Sequence, residues 1–215
     1  IIHGLNRYSE DMDFSLLKKD ESFSIENYFP AIITEFKALG RNITITKKDK
    51  RNFGKVESAF LKDTTEVYDL SFQTEKNLKI KIEVDTMPPL KFETEQKLLL
   101  QPFAFMVRCF TLPDLFAGKM HALVFRNWKN RIKGRDWYDF DWYVRNGVEL
   151  DRIREFNGAD MSYEQFIILL KEKLSTANID LVKADVGTFI LDHRELEIWS
   201  NDYFLMLADK IKVKK

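Results

Sequence analysis

At Leu112-Pro113 the hydrophobic rhythm of this 215-residue chain changes, and that change restricts the fold more than any other feature. Upstream, apolar residues alternate in short runs: Ile43/Ile45, Val56 to Leu61, Val67 to Phe72, Leu78 to Val84 and Leu98 to Phe110. Period-two alternation bounded by turn residues, here around 47–54, 75–77 and 87–89, reads as strands. Downstream the apolar spacing becomes three-to-four, which predicts helices over 113–128, 136–146, 162–176, 180–192 and 195–210. Pro113 suits a first helical position. A further helix is predicted over Ser24 to Leu39 from Ile25, Phe29, Ile32, Ile33 and Phe36, with Gly40 as its stop. Pro30 predicts a kink or a late start in it. One early helix, a block of strands and then helices only is an α+β layout, with a boundary near residue 111.

The run Arg7-Tyr8-Ser9-Glu10-Asp11-Met12-Asp13-Phe14 carries the chemistry. On a strand, Asp11 and Asp13 point to one face while Met12 and Phe14 point to the other. Two carboxylates that cannot pair with each other suit a hard divalent cation, which takes oxygen ligands and works against substrate phosphates. The spacing alone says little, because acid-x-acid recurs at Glu83/Asp85, Glu93/Glu95, Asp139/Asp141, Glu149/Asp151 and Glu195/Glu197. Most such pairs are solvated faces. The segment Leu78-Lys79-Ile80-Lys81-Ile82-Glu83-Val84-Asp85 alternates cleanly and by itself describes a half-exposed strand.

The whole octet, however, resembles the R-x-S-E-D-x-D-F signature of the AbiEii/AbiGii-type nucleotidyltransferase toxins, members of the DNA polymerase β-like superfamily. A second block is similar to that family's K-x-x-A-L-x-x-R followed by R-D-x-x-D: Lys119-Met120-His121-Ala122-Leu123 with Arg126, then Arg135-Asp136-Trp137-Tyr138-Asp139. The two blocks occur in the family's order and together span most of residues 1–145. The resemblance implies a polymerase β-like palm, a mixed sheet with helices, over 1–111. It implies a mostly helical domain over 112–215 that completes the active-site cleft. The family opens with a Gly-Gly-Thr or Gly-Ser turn for the nucleotide phosphates, whereas only Gly4 precedes the octet here. The expectation is that the sequence begins inside the protein.

The resemblance assigns roles residue by residue. Asp11 and Asp13 would bind Mg²⁺ or Mn²⁺, and a third carboxylate, Glu83 or Asp85, would complete a two-metal site. Lys119, by default a surface lysine, would neutralise the β/γ-phosphates of an NTP. Asp136 and Asp139, otherwise acids at a helix start, would orient Lys119 or bind nucleotide or acceptor, and Asp141 carries less weight. Arg7, Ser9 and Arg135 are candidate nucleotide contacts, although Arg7 could equally tie the motif down. Ser9 has no visible base that would make it a nucleophile.

Composition limits the partners. Lys plus Arg equals Asp plus Glu at 34 each, so the chain is not a generically basic nucleic-acid binder and any such contact must be local. The clearest patch is Arg126, Trp128, Lys129, Arg131, Lys133 and Arg135, five cations around one stackable indole, suited to RNA backbone and a base. A single Cys, Cys109, excludes an internal disulfide and fits a reducing cytoplasm. No apolar run is long enough for a membrane. Three His, at positions 3, 121 and 193, show no zinc-ligand spacing, and phosphate-binding Gly fingerprints are missing.

The expected protein is therefore a cytoplasmic, Mg²⁺-dependent nucleotidyltransferase toxin of a type IV toxin–antitoxin or phage-abortive-infection pair. It would transfer NMP from an NTP to an acceptor, a tRNA 3′ end in some relatives, with a cognate antitoxin as partner. The alternatives are the same chemistry on a small molecule or protein hydroxyl, and a non-catalytic binding module with this fold.

Overall fold

The computed structural model describes residues 2–9, 11–47, 65–72, 79–88, 92–101, 103–126, 132–150 and 161–214. The chain divides into two compact units, Ser9–Leu90 and a second made of Ile1–Tyr8 with Lys91–Lys215. Among the described residues it is a mixed α/β protein, as expected from the sequence.

The first unit is a four-stranded sheet with one helix. Strands β1 (Asp11–Ser15), β2 (Ile43–Lys47), β3 (Thr65–Phe72) and β4 (Lys79–Asp85) lie in the order β1-β4-β3-β2. β1 runs parallel to β4, and the other neighbours are antiparallel, so the sheet is mixed. Ser24 caps a 3-10 turn over Ile25–Tyr28, and helix α1 (Phe29–Ala38) follows with Pro30 in its first turn. Pro30 thus delays the helix: its missing N–H is harmless only at the start. Gly40, at φ 70°, ends α1 in the left-handed conformation. Ile43, Tyr68, Leu70, Ile82 and Val84 form the buried core, covered by Phe23, Ile25, Phe29, Ile32 and Phe36. Phe29 packs edge-on against Tyr68, with ring centres 5.0 Å apart.

The second unit combines a hairpin, β5 (Thr94–Leu99) with β6 (Phe105–Phe110), and the helices α2 (Leu112–Phe125), α3 (Gly134–Arg145), α4 (Tyr163–Thr176), α5 (Ile179–Gly187) and α6 (Asn201–Ala208). The run expected as one strand over 98–110 is thus the end of β5 and the whole of β6. A short parallel pair joins β7 (Glu149–Leu150) to β8 (Lys212–Val213). Phe116, Met120, Phe140, Phe166, Leu170, Val182 and Phe204 are fully buried. Aromatic edges fix the contact of α3 with α6, Trp137 meeting Phe204 at 4.8 Å.

Gly134 is required where α3 starts. A Cβ there would lie 2.3 Å from the Val182 carbonyl oxygen and 2.7 Å from the Val186 nitrogen, so only glycine allows α5 this close. Its N–H donates to Asp185 at 2.8 Å, which gives one of the orphan donors of the helix start a partner.

Candidate active site

The parallel pairing of β1 with β4 decides which acids share a surface. Asp11 lies opposite Lys81, Asp13 opposite Glu83, and Ser15 opposite Asp85. Paired residues point to the same side of a sheet, so Asp11, Asp13, Lys81, Glu83 and Asp85 occupy one face. Ile82 and Val84 occupy the other and are buried. Adjacent strands are ~4.8 Å apart and alternate residues along a strand roughly 6.6 Å apart. Asp11, Asp13 and Glu83 are therefore near neighbours on that face. β3 adds Asp69, which pairs with Lys81 and joins the same face. Sequence reading passed over Asp69, because only the strand register reveals it.

Lys81 is the cation already present among these acids. Its ammonium forms an ion pair with Glu83, and both side chains are about one-third exposed. Burial works to lower the Lys81 pKa, but Glu83, Asp11 and Asp13 outweigh it and the net direction is up. The acids on this face thus favour a positive charge beside them. The donors are all hard carboxylate oxygens, and the residues fit a Mg²⁺ or Mn²⁺ ion. Asp85 spends Oδ1 on the Met87 N–H at 2.9 Å, closing the turn after β4. Glu83 lies opposite Asp13, with its carboxylate paired to Lys81. Ser9 donates to the Asp11 carbonyl at 3.1 Å and shapes the entry to β1.

β1 departs from the expected alternation in exposure. Met12 and Phe14 turn to the core side, opposite Ile82 and Val84, yet they remain 49% and 47% exposed. The strand is an edge, and among the described residues nothing covers that side.

The helical unit holds a second charged cluster. Arg7 grips Asp139 with two parallel bonds, Nε to Oδ1 at 2.6 Å and Nη2 to Oδ2 at 2.8 Å. Its Nη1 donates to the Tyr8 carbonyl at 3.2 Å. Lys119, on α2, reaches Asp139 Oδ2 at 2.9 Å and Asp136 Oδ1 at 3.5 Å, both on α3. The Asp139 side chain is only 2% exposed. A buried carboxylate is tolerated here because two cations and a forked hydrogen bond replace its water. Burial would raise the Asp139 pKa, but Lys119 and Arg7 overcome it and hold the carboxyl below its ordinary value. Conversely, burial would lower Lys119, but Asp139 and Asp136 keep its ammonium above the ordinary lysine value. Arg7 is held in place by an antiparallel bridge to Ile190 and by the Tyr8 N–H on the Phe189 carbonyl, 2.6 Å.

The structure thus brings Lys119 together with both Asp136 and Asp139, and it uses Arg7 as a tie. Arg135 points elsewhere, its guanidinium over the Phe189 ring at 4.2 Å. Asp141 is buried and accepts from the Tyr203 hydroxyl, with Arg145 3.4 Å away. Arg126 is exposed and Lys133 half-buried, whereas Trp128, Lys129 and Arg131 lie outside the described residues.

The mixed sheet with an edge strand bearing Asp-x-Asp is the arrangement expected of a polymerase β-like nucleotidyltransferase fold. A family model described as "Nucleotidyl transferase AbiEii toxin, Type IV TA system" matches residues 1–209, and the chain belongs to that family. Among solved structures it is similar to MenT4, a nucleotidyltransferase toxin from Mycobacterium tuberculosis H37Rv. That match has 14% identity and a TM-score of 0.50, and it covers 97% of this chain and 71% of that one. At such identity the likeness shows the fold. No curated protein matches the sequence. Family membership implies an NTP substrate and an antitoxin partner. Among the described residues no helix is long and apolar enough to cross a membrane.

Proposed function

We propose that this toxin transfers a nucleoside monophosphate from an NTP to the 3′ end of a tRNA, using Mg²⁺ (or Mn²⁺) held by Asp11, Asp13 and Glu83. The observation that carries the reading is the register that sets Asp13 opposite Glu83, with Asp11 one step along the same face. A divalent ion bound there would activate the attacking hydroxyl and neutralise the triphosphate. The side chains themselves do little covalent work; they position charge, as phosphoryl transfer requires.

In this reading Glu83 would help hold the ion, and Lys81, its present partner, would supply a positive charge on the same face for phosphate. Lys119 is the triphosphate ligand of the helical unit. Asp136 and Asp139 hold its ammonium charged and fix its direction, and Arg7 fixes Asp139 in turn. Asp85 shapes the turn after β4 and stays outside the metal shell, while Ser9 and Arg135 position the nucleotide through the loops they stabilise. Arg126, Trp128, Lys129, Arg131 and Lys133 form the RNA contact. The reaction takes place in the cytoplasm, with the cognate antitoxin restraining it and release serving phage defence.

The test incubates the protein with Mg²⁺, total bacterial tRNA and each α-labelled NTP in turn. Label on tRNA from one NTP, absent with Asp13→Ala, is the expected result. Label on protein or small molecules alone would move the acceptor to those classes, which the zero net charge leaves open. Undiminished transfer by a folded Asp13→Ala protein would overturn the metal assignment.

A further inference from the structure

Away from both charged clusters, the hairpin of the helical unit gathers a third set of ligand-bearing side chains. Glu95 on β5 and Cys109 on β6 are direct cross-strand partners. Such partners share a face with Cβ atoms roughly 5 Å apart. The N-terminal segment lays His3 over the same face. One donor atom from each of His3, Glu95 and Cys109 lies within 4.8 Å of the others. His3 adds an independent observation: its Nε2 is buried and has no hydrogen-bond partner. A buried polar atom without a partner is costly and rare. A ligand that binds this nitrogen removes that cost.

We propose that His3, Glu95 and Cys109 form a zinc site that staples the N-terminal segment to the β5–β6 hairpin. One imidazole, one thiolate and one carboxylate make a three-ligand set, with water in the fourth position, that suits Zn²⁺ and not the hard ions expected on the sheet face. Tetrahedral zinc needs its donors roughly 3.5 Å apart, and the donors already lie within 4.8 Å of one another, so a small closure completes the set. Each is partly buried and on a side chain with rotamer freedom. Two existing contacts compete, and both are weak. Glu95 Oε2 pairs with the half-exposed Lys97 at 2.8 Å, a surface interaction worth little. Cys109 Sγ points at the Glu95 carbonyl from 3.8 Å. Burial pushes the His3 imidazole below its ordinary pKa, toward the neutral form that ligates.

The site was invisible as a spacing motif because its members are 92 and 14 residues apart in sequence and meet only through the hairpin register. Its consequence is local order. The bridge between Arg7 and Ile190 holds one end of the N-terminal segment, and zinc at His3 would hold the other. The anchor at Ile190 is Arg7 itself, the partner of Asp139.

The test uses Co²⁺ as a spectroscopic substitute and Zn²⁺ in calorimetry, on the full protein and on Asp11→Asn/Asp13→Asn, which removes the sheet carboxylates as a competing site. Asp11→Asn/Asp13→Asn should bind one equivalent, both proteins should show a thiolate-to-cobalt charge-transfer band, and zinc should raise the thermal midpoint. Cys109→Ser should abolish the band, and His3→Ala should weaken zinc binding 10-fold or more while the metal-free protein keeps its helical spectrum. Mg²⁺-supported nucleotidyl transfer by Cys109→Ser should equal that of the parent. Cobalt bound to Asp11→Asn/Asp13→Asn without a thiolate band, binding that survives Cys109→Ser and His3→Ala in that background, or no binding to Asp11→Asn/Asp13→Asn would each overturn the site.

Discussion

The sheet unit and the helical unit both carry acids next to a lysine, but they support them in opposite ways. On the sheet, Asp13 is exposed and Glu83 is about one-third exposed, on a face that water reaches. Among the described residues only five side chains form the core beneath it, against twenty-two in the helical unit. In the helical unit Asp139 is closed off from water and survives because Arg7 and Lys119 compensate it. Exposure keeps carboxylates available to an ion that comes and goes. Burial with paired cations fixes a geometry at the expense of availability. On the proposed function, the same residue types serve reactivity in one unit and positioning in the other.

The largest effect expected from this contrast separates activity from stability. Asp13→Ala should reduce nucleotidyl transfer on the order of 10³-fold or more, since a misplaced metal forfeits several kcal/mol of transition-state stabilisation. Its unfolding free energy should stay within about 0.5 kcal/mol of the parent, as for most exposed substitutions. Single-turnover transfer assays and urea titrations on the same preparation read the two quantities. A large loss of stability would show that the sheet acids are structural and remove the distinction between the units.

Asp139→Asn should do the reverse. It leaves Arg7 and Lys119 facing a neutral group in a buried site, and breaking one side of such a pair costs about 3 kcal/mol. Urea unfolding followed by tryptophan fluorescence suits this unit, because Trp137, Trp142 and Trp199 all lie in it. An unchanged midpoint would mean that Asp139 is as dispensable to the fold as Asp13. A smaller effect belongs to the packing that holds the cluster: Gly134→Ala places a methyl against the α5 backbone and should destabilise by roughly 1–2 kcal/mol. Gly118→Ala, with open space around it, is the control that should change little.

The contrast also explains what the sequence disclosed. Strand alternation on β4 and three-to-four spacing after Pro113 were legible because each follows from a single chain's own periodicity. Pro30, Gly40 and the hydrophobic pattern located α1 to within a few residues. The Lys119 contact with Asp136 and Asp139 was legible only as a choice of roles, since α2 and α3 had to be packed before one ammonium could reach both. Three features needed tertiary contacts and carried no local signal. Asp69 joins the acidic face through the β3 register, Arg7 crosses 132 residues to Asp139, and His3 meets Glu95 and Cys109 over the hairpin. The exposed Met12 and Phe14 show the limit from the other side, because alternation assigned their face correctly while burial depends on what lies beyond the edge.

The finest test of the comparison is the pH dependence of folding. Asp139 is held below its ordinary pKa: burial opposes this, but Lys119 and Arg7 overcome it. A carboxyl with a depressed folded value adds stability that is fully present above the unfolded value, near 4, and is lost as pH falls through the folded one. Lys119 has the opposite sign: its raised folded value adds stability that is present below about 10.4 and is lost as pH rises through it. The helical unit should therefore lose stability on an acid limb starting below about pH 4, with a slope no steeper than ~1.4 kcal/mol per pH unit from this one proton. Asp139→Asn removes that proton exchange, so the acid limb should flatten even though the variant is less stable throughout. Lys119→Met should flatten the alkaline limb. It should also shallow the acid limb, because Asp139 then keeps only Arg7 to hold its pKa down. Parallel acid limbs in parent and Asp139→Asn would show that acid unfolding comes from other carboxylates and that the buried cluster is electrostatically no different from the exposed one.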